Sequence, residues 1–355
     1  MKDLLKIQTQ HDLLERLGRL KCASPEQIRL SVVGSGEPID TLIAKYAPFP
    51  MRIREMADYS VGVFDYQAGQ LRLNGEVYFC RAGLDKITYI ISVCSGTVWE
   101  RSIARLLRSL YPAVAPVFLS QKELVSLLQS AKAIFPDARL RIIGHSRKKR
   151  LKTGTRRKFE SSRTRTEKPL ELVFKEAEEQ NFWFESISFD YRRDGRETED
   201  PNGGLPSATI SKYGTFFCTS GFDRFRYAVL QDMAQMAARK MEFFANRSRR
   251  TTEQCKARPI SISFDSAAFR NIDDNRNFIG ILRKMPGTSC ALLHGNPYVH
   301  LFLKDGADNS GTDVWVLKDD EVLLIPQLKA SEAALKRLVN YIFEEWREGQ
   351  MTNPM

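Results

Sequence analysis

The strongest apolar periodicity lies in "FDRFRYAVLQDMAQMAARKMEFFANR", residues 222–247. Phe222, Phe225, Val229, Met233, Met236 and Met241 recur there at three- to five-residue steps. That spacing predicts an amphipathic helix whose methionine-rich stripe fills a core. Leu335, Leu338, Val339, Ile342, Phe343 and Trp346 form a second stripe. It predicts a C-terminal helix with Ser331 as N-cap and Gly349 just past its end. Two capping boxes, Thr97-x-x-Glu100 and Ser120-x-x-Glu123, open two more helices, one over about 98–110 and one ending at Pro136.

Between the helices the period changes to two. "LRLNGEVYF" alternates around Asn74-Gly75, a pair suited to the positive-φ residues of a tight turn, so it predicts a hairpin. "TYIISVCS", "AVAPVFLS" and "ARLRIIGH" are strand-like runs separated by the two capped helices. A β-α-β-α-β order with short links predicts a partly parallel sheet in the first half. The second half reads as a helix near 170–180, strands in "FWFESISFD", 208–218 and "PISISFD", and a short helix near 274–283. A meander of about three strands comes next, with turns at Gly295-Asn296-Pro297 and Lys318-Asp319-Asp320. "SISFD" occurs at 186–190 and at 261–265, which predicts equivalent strands in one sheet.

The chain has 355 residues, more than one core commonly organises. The expected fold is two mixed α/β domains. The first, 1–145, holds a partly parallel sheet. The second, 170–355, holds an antiparallel meander and the long C-terminal helix. Residues 146–169 join them as a flexible basic linker.

Charge singles out that linker. From Arg147 to Lys168 there are eleven Lys or Arg against two Glu, a local +9 that leaves +2 of the net +11 for the rest of the chain. With only Leu151 and Phe159 as large apolar residues, the segment shows neither helical nor strand periodicity. Such density attracts a polyanion, and nucleic acid is the expected partner through counterion release. The candidate contacts are Arg147, Lys148, Lys149, Arg150, Lys152, Arg156, Arg157 and Lys158. Arg101, Arg105 and Arg108 join them, at i, i+4 and i+7 on one helix face, as do Arg247, Arg249 and Arg250. No helix-turn-helix, zinc-finger or aromatic RNA-binding signature accompanies them, so the contacts would go to phosphate.

Catalytic chemistry has one candidate, "HGNPYVHLFLKDGADNSGTDVWV". It holds His294 and His300, followed by Asp305, Asp308 and Asp313. One reading is turn chemistry around a half-buried histidine. The alternative is a metal-dependent nuclease using His294, His300 and Asp313, with Asp190 or Asp265 at strand ends. The turn at Gly295-Asn296-Pro297 breaks the strand between the histidines, so no metal or other cofactor is expected. "SVVGSGEP" lacks the third glycine of a dinucleotide loop, and there is no P-loop.

Six cysteines without C-x-x-C spacing read as buried thiols in a reducing compartment. With no signal peptide and no membrane span in the pattern, the expected location is cytoplasmic. Together these features predict a nucleic-acid-binding accessory subunit of a larger prokaryotic assembly, of the antiviral-defence or mobile-element kind, with protein partners and no membrane. A scaffold that docks an acidic protein is the remaining alternative.

Overall fold

A computed structural model describes residues 4–84, 86–149, 159–162, 170–180, 182–192, 206–247, 257–327 and 329–353. They divide by contact into two compact units, one of residues up to 149 and 159–238, the other from Arg239 onward. The fold is mixed α/β with two sheets, and every ladder in both is antiparallel.

The first unit runs α1 (Gln10–Gly18), β1 (Gln27–Ser35), α2 (Ile39–Tyr46), β2 (Met51–Glu55), β3 (Ser60–Ala68), β4 (Leu71–Arg81), β5 (Ile87–Cys94) and α3 (96–109). It continues through β6 (Val114–Pro116), α4 (Gln121–Ala133), β7 (Arg139–Lys149), β8 (Phe159–Ser162), α5 (Leu170–Glu179), β9 (Phe182–Arg192), β10 (Ala208–Ser211) and β11 (Thr215–Cys218) to α6 (222–245). Its sheet has the order β2-β3-β4-β5-β1-β11-β10-β9-β7-β8, with β6 also on β1.

The parallel sheet expected from the β-α-β-α-β order does not form. β5 and β6 both pair with β1, each antiparallel to it. The earlier strand β1 therefore separates the two strands that α3 connects. β7 lies further off, paired with β9. Local order predicts parallel neighbours only when nothing inserts between them, and here strands distant in sequence do.

The division between units also departs from the 146–169 boundary. β9, β10 and β11 all belong to the first sheet, and β11 pairs Ile28 with Cys218 and Ser31 with Thr215. Residues 182–218 therefore complete the N-terminal sheet, and the divide falls within α6 after Ala238. The described part of the basic segment is ladder, not linker: Arg147 faces Glu160 and Phe184, and Lys148 faces Phe159 and Trp183. Backbone pairing tolerates charge on a strand when aromatic neighbours carry the packing, and the Arg147 guanidinium lies 4.3 Å from the Phe182 ring centre.

Two local expectations shift. Asn74 and Gly75 are mid-ladder residues, paired with Asp65 and Phe64. The β3–β4 turn is Gly69-Gln70, with Gly69 at φ 65. Gly75 instead sits where space is tight: a Cβ there would meet the Phe64 ring at 3.0 Å. α3 starts at Gly96 rather than 98, because Ser95, not Thr97, accepts the Val98 N–H. The Ser120–Glu123 capping box forms in both directions, at 2.7 and 3.2 Å, and opens α4.

The second unit holds β12 (Ile260–Ser263), α7 (Ile272–Arg283), β13 (Thr288–His294), β14 (Val299–Asp305), β15 (Gly311–Lys318), β16 (Glu321–Pro326), α8 (Glu332–Glu345) and β17 (Gln350–Thr352). The sheet order is β13-β14-β15-β16-β12-β17, so the expected meander is present. The two "SISFD" copies lie in different sheets, on β9 and β12, and are not equivalent strands of one. Ser331 caps α8 by accepting the Ala334 N–H at 3.0 Å. The helix ends at Glu345, and Gly349 instead precedes β17, where a Cβ would strike Ser263 O at 2.7 Å.

α8 carries one unfavourable burial. Lys336 is 3% exposed, and its Nζ has no hydrogen-bond partner among the described residues. Burial lowers its pKa from 10.5 to about 8, against a raising effect from Glu332 and with a smaller lowering from Lys240. Between those values the unfolded chain holds the proton and the folded chain does not, so stability rises with pH across that window. At pH 7 the protonated amine is buried at full penalty. Lys336→Met should therefore raise stability at pH 7 by about 1–3 kcal/mol. The gain should shrink towards pH 10.5, as read by urea denaturation at several pH values. A loss of stability at pH 7 would show that the ammonium has a partner.

Candidate nucleic-acid interface

α3 is built to present arginine. Its N-terminal turn leads into a π turn over Trp99–Ile103, and the helix regains α geometry at Ala104. A π turn adds a residue and shifts the phase of the next helical turns. The Tyr66 hydroxyl supports it by donating to the Arg101 carbonyl at 3.0 Å. One face is anchored: Trp99, Ile103, Leu106 and Leu110 are buried among Val33, Phe64, Ile90 and Val114. Trp99 also meets Phe217 edge-on at 6.0 Å. Arg101, Arg105 and Arg108 are all exposed, with Glu100 exposed at the start of the stripe. The helix thus holds three guanidinium groups toward solvent on a rigid support.

The remaining basic candidates separate. Arg147 is half-buried on β7, with Lys148 and Lys149 next along the strand. Arg150, Lys152, Arg156, Arg157, Lys158, Arg249 and Arg250 lie outside the described residues. Arg247 is buried. It is 5% exposed, its guanidinium sits 3.5 Å from the Phe243 ring centre, and it donates to Phe243 O and Asn353 Oδ1. Those bonds close the end of α6 against the β17 segment, so its role is structural.

His300 and Asp313 do come together. They are diagonal neighbours on β14 and β15, with Nε2 and Oδ1 3.0 Å apart. Trp315 stacks on the imidazole at 3.6 Å between ring centres. The other Asp313 oxygen accepts from Gln327 Nε2. This arrangement orients the ring and selects a tautomer. His294 pairs with His300 across β13 and β14, but its side chain is exposed beside Tyr298. Asp190 belongs to the other unit and is held by Arg141 in a two-pronged pair of 2.9 and 2.7 Å. Asp305 is buried and bonded to Arg337 at 2.9 Å, and Asp308 accepts the Ser310 N–H as a turn residue. Among the described residues no three His, Cys, Asp or Glu gather as metal ligands. Trp315, directly opposite His300, and Gln327, bonded to Asp313, were not legible as members of this cluster, because only strand register shows which residues of neighbouring strands meet.

Ser35 at the end of β1 and the following Gly36, Glu37 and Pro38 line a cavity of about 650 Å³ in the first unit. The Ser35 hydroxyl donates to Glu37 O at 2.6 Å and accepts its N–H, which fixes the loop. Glu37, Asp40, Glu55 and Asp58 face this space against Arg81 and Lys86. Four carboxylates against two cations do not suit a phosphate. Cys80, Cys94 and Cys218 are buried thiols, and burial pushes the Cys80 and Cys218 thiols well above their usual range. No helix among the described residues is long and apolar enough to cross a membrane. The arginine face of α3, with the basic end of β7, is the candidate surface. Comparison with protein-family models and with curated proteins gave no match to this chain.

Proposed function

We propose that the protein binds nucleic acid through the phosphate backbone, as an accessory subunit of a larger prokaryotic assembly of the defence or mobile-element kind. The observation that carries the reading is α3: Arg101, Arg105 and Arg108 exposed on a helix whose opposite side is anchored in the core. Like charges on one helix face repel unless solvated or matched by an anion. A rigid row of guanidinium groups matches regularly spaced phosphates. The +9 carried by residues 147–168 supplies the long-range attraction. Backbone recognition needs no base-reading helix and no catalytic centre.

The test is fluorescence anisotropy of the full chain with labelled single- and double-stranded DNA and RNA across a salt series. Affinity should fall with salt, with a log–log slope of about 0.9 per duplex phosphate contacted and about 0.7 per single-strand phosphate. Replacing Arg101, Arg105 and Arg108 together by Ala should make the slope shallower by about two to three and weaken binding at least tenfold. The melting temperature should hold, since all three side chains are exposed. Unchanged slope and affinity would remove α3 from the interface. Absence of binding to any of these nucleic acids would favour an acidic protein partner.

A further inference from the structure

We propose that the edge strand β13 pairs with β13 of a second copy of this chain, joining two six-stranded sheets across a twofold axis. Among the described residues β13 pairs only with β14 and ends its sheet. One row of its backbone N–H and C=O groups therefore faces away from the sheet, ready for another strand.

Proteins usually guard such an edge with charge, proline or a short strand. The other edges obey that rule. β2, "MRIRE", carries two arginines and a glutamate, β8 has four residues, and β17 has three. β13, "TSCALLH", has seven residues and neither Lys, Arg, Asp, Glu nor Pro. The uncharged stretch reaches further: residues 285–303 hold no Asp, Glu, Lys or Arg in a chain that is 27% charged.

Exposed apolar side chains gather at the same end of the sheet. Leu292 is 38% exposed, Leu293 58%, Tyr298 52% and Leu317 54%. Val299 pairs with Val316, so the register sets Tyr298 beside Leu317. Large exposed apolar clusters rimmed by polar residues mark interaction surfaces.

Charge decides the occupant. The net +11 is concentrated in residues 147–168, so two copies repel through that segment, and the uncharged stretch 285–303 is where they can approach. A highly charged partner finds no complement there. The register shift between Leu292 and His294 leaves 288–292 as the regular stretch. Antiparallel self-pairing about its centre, Cys290, sets Thr288 against Leu292 and Ser289 against Ala291. The two Ala291 side chains are then diagonal neighbours on one sheet face, within reach of long charged side chains. Such contact is self-complementary, as a twofold interface requires.

Sedimentation equilibrium of the nuclease-treated full chain at high salt tests this, because salt suppresses bridging by nucleic acid. The wild type should approach twice the 40.6 kDa monomer mass as concentration rises. Ala291→Lys and Ala291→Glu, each with a wild-type melting curve, should weaken association at least tenfold, since like charges are brought together. An equimolar mixture of the two should restore the dimer. Leu293→Lys, at an exposed position, should also weaken association and carries the test where an Ala291 variant fails to fold. Tyr227→Lys, at an exposed residue outside this sheet, should leave the dimer unchanged. A wild type that stays monomeric, a dimer insensitive to the charged variants, or a mixture that stays monomeric each overturns the proposal.

Discussion

Trp99→Ala should destabilise the first unit by about 3–5 kcal/mol, the range for emptying a large aromatic core site. Trp99 is 2% exposed and belongs to the cluster that holds α3 and α2 against one face of the sheet. Its removal opens a void in that cluster beside Phe217. On the proposed function, the same geometry gives a second expected effect. The arginines of α3 are positioned by this buried face, so the variant should bind nucleic acid more weakly even under conditions where it is folded. Urea denaturation tracked by circular dichroism reads the first effect, and anisotropy at fixed salt reads the second. An unchanged urea midpoint would mean that α3 is not anchored by Trp99.

Phe278→Ala should cost about as much in the second unit, again about 3–5 kcal/mol. Phe278 on α7 is fully buried, edge-on to Phe269 at 5.2 Å and tilted on Trp346 at 5.7 Å. Phe269 and Trp346 stack on each other at 5.4 Å, so the three rings lock α7, the segment after β12 and the end of α8 together. Aromatic contacts of this kind add to the area they bury. Hydrogen exchange should show amide protection lost in β12 and β14–β16. Ile272→Ala, at an exposed position of the same helix, should change stability by less than about 0.5 kcal/mol. Equal effects of the two substitutions would show that the ring cluster does not hold this unit.

Much of the secondary structure was legible because its causes are local. The Ser120–Glu123 box, the Ser331 cap and the methionine stripe of α6 each depend on residues within a turn or two of one another. The exposure of Arg101, Arg105 and Arg108 was legible for the same reason, whereas the π turn over Trp99–Ile103, which holds Arg101 and shifts the helical phase, was not. The burial of Arg247 was not legible, because clustering with other arginines in sequence says nothing about the Phe243 ring and carbonyl and the Asn353 side chain that enclose it.

Residue order along the chain is enough to set the mixed α/β character, the helix caps, the concentration of charge in 147–168, and the uncharged stretch around β13. Each is a property of neighbouring residues, so no partner from elsewhere in the chain is needed to define it. Strand order and direction arise only when the chain folds back on itself. β1 enters between β5 and β6, and β9–β11, later in sequence than the basic segment, complete the first sheet. The diagonal contact of His300 with Asp313, the burial of Lys336 and the identity of the edge strands arise in the same way. Strand pairing is a choice among many apolar runs of similar propensity. It is made by which faces bury together across long sequence separations, and a local pattern does not carry that information.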